Sequence, residues 1–257
     1  MKKIVNADTV TVVRVGDLDA ATLRAAHALA HAAFGDDEAF LARLTAAAAD
    51  ERYLYIRESG GIAAGCFLLG ATLYTGADAA ADADTGAVAQ AKRLHGGYLY
   101  ALCTAAAYRR RGFAHALIGA AAREAGDFLV TVPASRSLCD FYRRLGFTRA
   151  LSGCVAVGGI GESAAPAETR PGGYADAVRA AQRHGGLLLS EGMFDLSLAE
   201  SGAAPCVAGD AFCAVRGGRL YGAVGLAPGH PMSEKALLRS KVPLDLDGIY
   251  ADLLIEV

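Results

Sequence analysis

No apolar run in the 257-residue chain reaches the ~18–20 residues that a membrane-spanning helix needs. The first residues, Met1-Lys2-Lys3-Ile4-Val5-Asn6-Ala7-Asp8, turn polar too soon to supply the apolar stretch of a secretory signal. An excess of either charge is also missing. Lys and Arg number 25 against 27 Asp and Glu, a formal −2 with a pI near 6.3, whereas a nucleic-acid surface calls for a basic balance. Cysteines stand at 66, 103, 139, 154, 206 and 213 with no C-x-x-C pair among them. Zinc sites and disulfide frameworks use closer, patterned spacing. The expectation is therefore small buried hydrophobes in a reducing cytoplasm, with no metal, no nucleic-acid partner and no membrane.

What is present is a globular composition, 53% hydrophobic and 20% charged. At roughly 1.7 times a ~150-residue domain, the chain suits one large or two modest domains. Such a length buries a core without staples.

The pattern along the first 157 residues alternates between the two periodicities. Residues 9–15 are β-branched and read as a strand. Asp17 and Asp19 offer caps for an alanine-rich helix to about Phe34, and Asp36 or Asp37 opens a second helix. Residues 52–58 and 62–74 read as a hairpin around Ser59-Gly60-Gly61, and 75–92 as a mobile loop. Then come a strand at 97–104, a helix from about Gly112 to Ala125, a strand at 128–132, a helix from about Ser135 to Leu145 and a strand-like stretch at 147–157. The order is β-α-α-β-β-β-α-β-α-β. Because a helix joins the fourth and fifth strands, they are expected to be parallel.

Residues 158–173, Gly- and Pro-rich, read as a linker to a smaller α/β unit over 174–257. There Phe212-Cys-Ala-Val-Arg-Gly-Gly-Arg-Leu-Tyr221 echoes the hairpin around Gly60-Gly61. Both a degenerate internal repeat and convergence on a common Gly-Gly hairpin account for the echo. The tail offers Ser233 to Arg239 as a short helix and Gly248 to Val257 as a strand.

The chemistry-bearing stretch is Leu99-Tyr-Ala-Leu-Cys-Thr-Ala-Ala-Ala-Tyr-Arg-Arg-Arg-Gly-Phe-Ala-His115. It reads as strand, short loop, Arg109-x-x-Gly112-x-Ala114, helix. Small residues let a ligand approach the backbone. Successive N–H groups at a helix start form an anion nest backed by the helix dipole, with arginines as nearby cations. Downstream, Phe141-Tyr-Arg-Arg-Leu-Gly-Phe147 closes the next helix.

Together these motifs resemble the GNAT family of N-acetyltransferases, whose pyrophosphate loop has the form Q/R-x-x-G-x-G/A and whose later helix ends in a Y-x-x-x-G-F-like sequence. The resemblance covers residues 9–157. It implies a mixed central sheet flanked by helices, an acetyl-CoA donor and an amine-bearing small molecule or peptide as acceptor. It assigns Arg109, Arg110, Arg111, Gly112, Phe113 and Ala114 to the pyrophosphate, and Leu102, Cys103 and Thr104 to the pantetheine arm and thioester. Ser135 stands where many members have an asparagine contacting CoA. Tyr142 matches the tyrosine near the CoA sulfur, either as proton donor or as an ordinary packed aromatic. His115 lines the loop or simply faces solvent. The fourth strand carries no carboxylate, which leaves Tyr100, a water chain or a distant acid as base. Direct transfer in a ternary complex is the expected activity, and a catalytically silent CoA-binding module is the alternative.

Overall fold

A computed structural model describes residues 7–59, 61–75, 92–153, 165–225 and 233–244. Through the first half, the elements follow the order expected. They are β1 (Thr11–Arg14), α1 (Ala20–Phe34), α2 (Glu38–Ala47), β2 (Arg52–Glu58), β3 (Gly61–Tyr74), β4 (Arg93–Thr104), α3 (Phe113–Glu124), β5 (Phe128–Thr131), α4 (Arg136–Arg144) and β6 (Arg149–Gly153). The caps set the starts. Asp19 accepts from the Thr22 N–H at 2.7 Å, Asp37 from Phe40 at 2.6 Å and Ser135 from Leu138 at 3.3 Å. Each satisfies an N–H that has no partner inside its helix.

The second half adds β7 (Arg170–Pro171), α5 (Tyr174–His184), β8 (Gly186–Leu189), α6 (Glu191–Ser201), β9 (Ala204–Ala208), β10 (Ala211–Arg216), β11 (Arg219–Val224) and β12 (Ser233–Ser240). The hairpin expected around Gly217-Gly218 is present as β10 and β11. Most of the expected loop 75–92, the expected linker up to residue 164 and the strand expected at 248–257 lie outside the described residues.

Two departures concern the second half. Arg170-Pro171, read as linker, pairs with β9 at the edge of a four-stranded sheet ordered β11-β10-β9-β7. Ser233 to Arg239, read as a short helix, is a strand. It lies between β5 and β6, antiparallel to both, within an eight-stranded sheet ordered β1-β2-β3-β4-β5-β12-β6. Its Glu, Lys, Ala, Leu and Arg favour a helix intrinsically. The open edges of β5 and β6 outweigh that preference, since unpaired strand edges are costly to leave bare.

The eighth strand of the large sheet, β8, pairs with the far end of β3. β3 is long enough to hold β2 along residues 61–68 and β8 along 71–74. Glu51 closes the seam between them, accepting from the Gly70 N–H and from the Ser190 hydroxyl, both at 2.7 Å. One apolar layer lies between this sheet and α1, α2 and α6, with Leu41, Leu44, Tyr100 and Met193 in it. A second lies under α3 and α4, with Leu117, Phe113, Tyr142 and Phe147. A third joins α5 and α6 to the small sheet. The parallel pairing of β4 with β5 is observed, and it matters for the site.

Candidate active site

The parallel ladder of β4 and β5 is short. It joins Gly97 to Leu129 and Tyr98 to Val130, while β4 runs on to Thr104 and β5 stops at Thr131. A cleft opens where the strands part, lined by Tyr98, Leu102, Thr131, Pro133, Leu138 and Tyr142, with Phe34 of α1 at its side. The Thr131 hydroxyl donates to the Leu99 carbonyl at 3.2 Å and marks the point of divergence.

β4 also bulges here. Gly65 of β3 faces Cys103 and Phe67 faces Tyr100, so Ala101 and Leu102 share one position opposite, and Ala101 takes φ 52°. A bulge re-aims the backbone that follows it and is held only where the surroundings impose it. No residue type in Tyr-Ala-Leu-Cys announces this bulge. Thr131 and Phe34 were likewise missed, although a threonine closing the apolar run Phe-Leu-Val is a visible irregularity.

The loop leading into α3 is arranged around its arginines. Arg109 donates from Nε to the Thr104 carbonyl at 3.3 Å, tying the loop to the end of β4. Arg110 has φ 62°. Arg111 stacks over the Tyr108 ring at 5.1 Å. Gly112 occupies the N-cap of α3 at φ 87° and gives no side-chain cap. A Cβ there would meet nothing within 4 Å, so the space over the helix start is open. The N–H groups of Phe113, Ala114 and His115 have no acceptor within the helix, because the first intrahelical bond is Ala116 N–H to Gly112 O. Uncapped donors, three arginines and the positive end of the helix dipole fit a diphosphate. The Phe113 ring is buried beside Tyr108, which leaves only its backbone at the open helix start. His115 is exposed.

The remaining expected residues separate. Leu102 and Tyr142 line the same cleft. Tyr142 is buried among Phe141 and Phe147, each 5.3 Å away centroid to centroid. Burial pushes its phenol up to about 12, against an opposing hydrogen bond with Thr131. Cys103 turns to the opposite layer, its thiol donating to the Gly65 carbonyl at 3.8 Å. Burial pushes that thiol up to about 12 as well. Tyr100 is also buried in that layer, and its phenol is raised well above the ordinary value, first by burial and then by Asp36. A phenol so held is a poor base near neutral pH. Ser135 is exposed, and its hydroxyl is already engaged as the α4 cap and with Ser137 at 3.0 Å. Among the described residues, no group of three or more His, Cys, Asp or Glu is placed to hold a metal ion. None of the described helices is long and apolar enough to cross a membrane.

By fold and site this is a mixed α/β protein with an arginine-flanked loop and an uncapped helix start in the same domain as a splayed pair of parallel strands. Comparison with known proteins bears on the family. Residues 72–160 match the model of the acetyltransferase (GNAT) domain. Three solved structures share the fold. A GCN5-related N-acetyltransferase from Kribbella flavida is 16% identical at TM-score 0.52, over 92% of this chain and 66% of its own. A probable N-acyltransferase from Enterococcus faecalis is 12% identical at TM-score 0.50, over 84% and 54%. Eis1 from Mycobacterium abscessus is 12% identical at TM-score 0.53, over 90% and 73%. The chain thus spans only part of each, and at these identities the likeness concerns fold alone. No curated protein matches by sequence.

Proposed function

We propose that the chain is an acetyl-CoA-dependent N-acetyltransferase that passes an acetyl group to an amine by direct attack in a ternary complex. The observation that carries this reading is the cleft between β4 and β5, with Tyr142 in its wall, in the same domain as the uncapped start of α3. In this reading the N–H groups of residues 113–115 at the start of α3, opened by Gly112, and the arginines 109–111 hold the donor's diphosphate. Backbone groups of Leu102, Cys103 and Thr104 line the pantetheine arm and polarise the thioester carbonyl. Ser135 remains beside this path as a weaker contact. Residues 1–157 supply the transferase unit, its large sheet completed by β8 and β12 from the second half, and the rest of 174–257 is an accessory unit that walls the acceptor side.

An amine with pKa near ~10.4 is mostly protonated at neutral pH and attacks only after losing that proton. The departing thiolate then needs a donor. Tyr142 stays protonated because burial holds it at about 12, so it stabilises the thiolate first as a hydrogen-bond donor and releases its proton late. The raised Cys103 thiol, bonded to Gly65, is a poor nucleophile and argues against an acyl-cysteine intermediate.

The test is thiol release from acetyl-CoA in the presence of a panel of primary amines. Amine-dependent release and a mass gain of one acetyl group on the acceptor support the reading. Tight acetyl-CoA binding with no turnover on any amine would leave a CoA-binding module instead.

A further inference from the structure

The small sheet holds a feature that acyl transfer does not use. β9 and β10 run antiparallel around Gly209-Asp210, and Cys206 lies directly across from Cys213. Their sulfurs are 2.8 Å apart, inside the van der Waals separation of two sulfur atoms. That gap exceeds the ~2.05 Å of a disulfide bond by less than a bond's length. Both side chains are buried, beside Leu220 and Ala223. The pair is also braced from outside. β7 pairs with β9 on its other side, with Pro171 opposite Cys206. Gly172 comes so near that a Cβ there would lie 3.2 Å from the Cys206 carbonyl carbon. The strands cannot slip in register without breaking both ladders, so the two sulfurs are held together by the sheet itself.

We propose that Cys206 and Cys213 form an oxidisable dithiol that closes to a cross-strand disulfide when the folded chain meets a disulfide oxidant such as oxidised glutathione. In the first step one cysteine loses its proton and its thiolate attacks a sulfur of the oxidant. A mixed disulfide forms, and one glutathione thiolate leaves and takes up a proton. The second cysteine thiolate then displaces the remaining glutathione. Two S–H bonds are lost and one S–S bond forms, and the two electrons reduce the oxidant to two thiols. Cys206, at 8% exposure against 0% for Cys213, is the one positioned to meet the oxidant. Burial and the facing Cys206 hold the Cys213 thiol well above the usual range. Closure is therefore slow near neutral pH and accelerates as the pH is raised, because only thiolates react.

The experiment equilibrates the full folded chain in glutathione buffers from fully reduced to fully oxidised, then denatures it, alkylates free thiols and digests it with trypsin. Both cysteines fall in the single peptide His184–Arg216. The expected result is that in oxidised buffer this peptide escapes alkylation and is two hydrogens lighter, that dithiothreitol restores both sites, and that the oxidised chain unfolds at a higher temperature than the reduced one. Cys206→Ser should leave Cys213 alkylated under every condition. Full alkylation of both sites at every ratio would overturn the proposal. So would a stable glutathione adduct, or a link from either cysteine to another. Because the mapping is done on the wild-type chain, it decides even if the variant fails to fold.

Discussion

Tyr142 lies in both the packed core and the wall of the cleft, and the motif around it explains how. Leu145 and Phe147 both donate backbone N–H groups to the Tyr142 carbonyl, at 2.9 and 3.2 Å. Gly146 sits between them at φ 91°, a conformation open to glycine at no steric cost. The chain therefore turns back sharply and lays Phe147 against the Tyr142 ring. The Tyr-x-x-x-Gly-Phe spacing is thus a helix-ending device that fixes the phenol, which is why the tyrosine was legible from sequence. Its burial was not, because that depends on β12 and α3 packing from elsewhere. Tyr142→Phe keeps the ring and removes the donor. The expected result is a ~10²–10³-fold fall in kcat with little change in acetyl-CoA affinity, read in steady-state kinetics and titration.

The same residue makes an alkaline prediction. An unfolded tyrosine ionises near 10, whereas the folded one holds its proton to about 12. Between those values the unfolded state binds fewer protons than the native state, so stability is full below pH 10 and falls as the pH rises. The component due to Tyr142 is about 1.4 kcal/mol per pH unit. Urea unfolding from pH 9 to 12 should show a shallower decline in Tyr142→Phe than in the wild type. Equal slopes would mean that the phenol is not buried as described.

At the scale of elements, the first half was readable because its local signals agree with one another. Asp19 and Asp37 cap where a helix pattern begins, and the strands around Gly60-Gly61 are β-rich on both sides. β12 was not readable, because its assignment is made by what it fills. Arg239 bonds the Leu145 carbonyl at 3.3 Å, and Leu238 is fully buried on the strand between β5 and β6. A stretch with helical preference became a sheet strand because two edges, far away in sequence, required it. Leu238→Ala should cost ~2–5 kcal/mol in urea unfolding, the range for a large-to-small change in a closed core. An exposed helix position would lose a few tenths at most. The bulge at Ala101 belongs to the same class of event, since no local propensity asks an alanine for a positive φ.

For the whole molecule, the two halves are joined both by hydrogen bonds and by a shared core, in which Met193 and Leu196 of α6 lie in one apolar layer with Leu41 and Leu44 of α2. β8 and β12 enter the large sheet, Glu51 bridges to Ser190, and Arg43 of α2 pairs with Glu200 of α6 at 2.7 Å. The second half has a Gly-Gly hairpin of its own, β10 and β11. Among its described residues, no helix follows that hairpin: the next described element after β11 is the strand β12. Donor binding is therefore expected only at α3. Calorimetric titration of the full chain with acetyl-CoA tests this claim most directly, with Ala114→Trp as the comparison, because a bulky side chain at the helix start fills the space over the uncapped N–H groups. The account predicts one site per chain in the wild type, and at least ~100-fold weaker binding in a variant that still unfolds at the wild-type temperature. No binding, a second site per chain, or unchanged affinity in folded Ala114→Trp would contradict it.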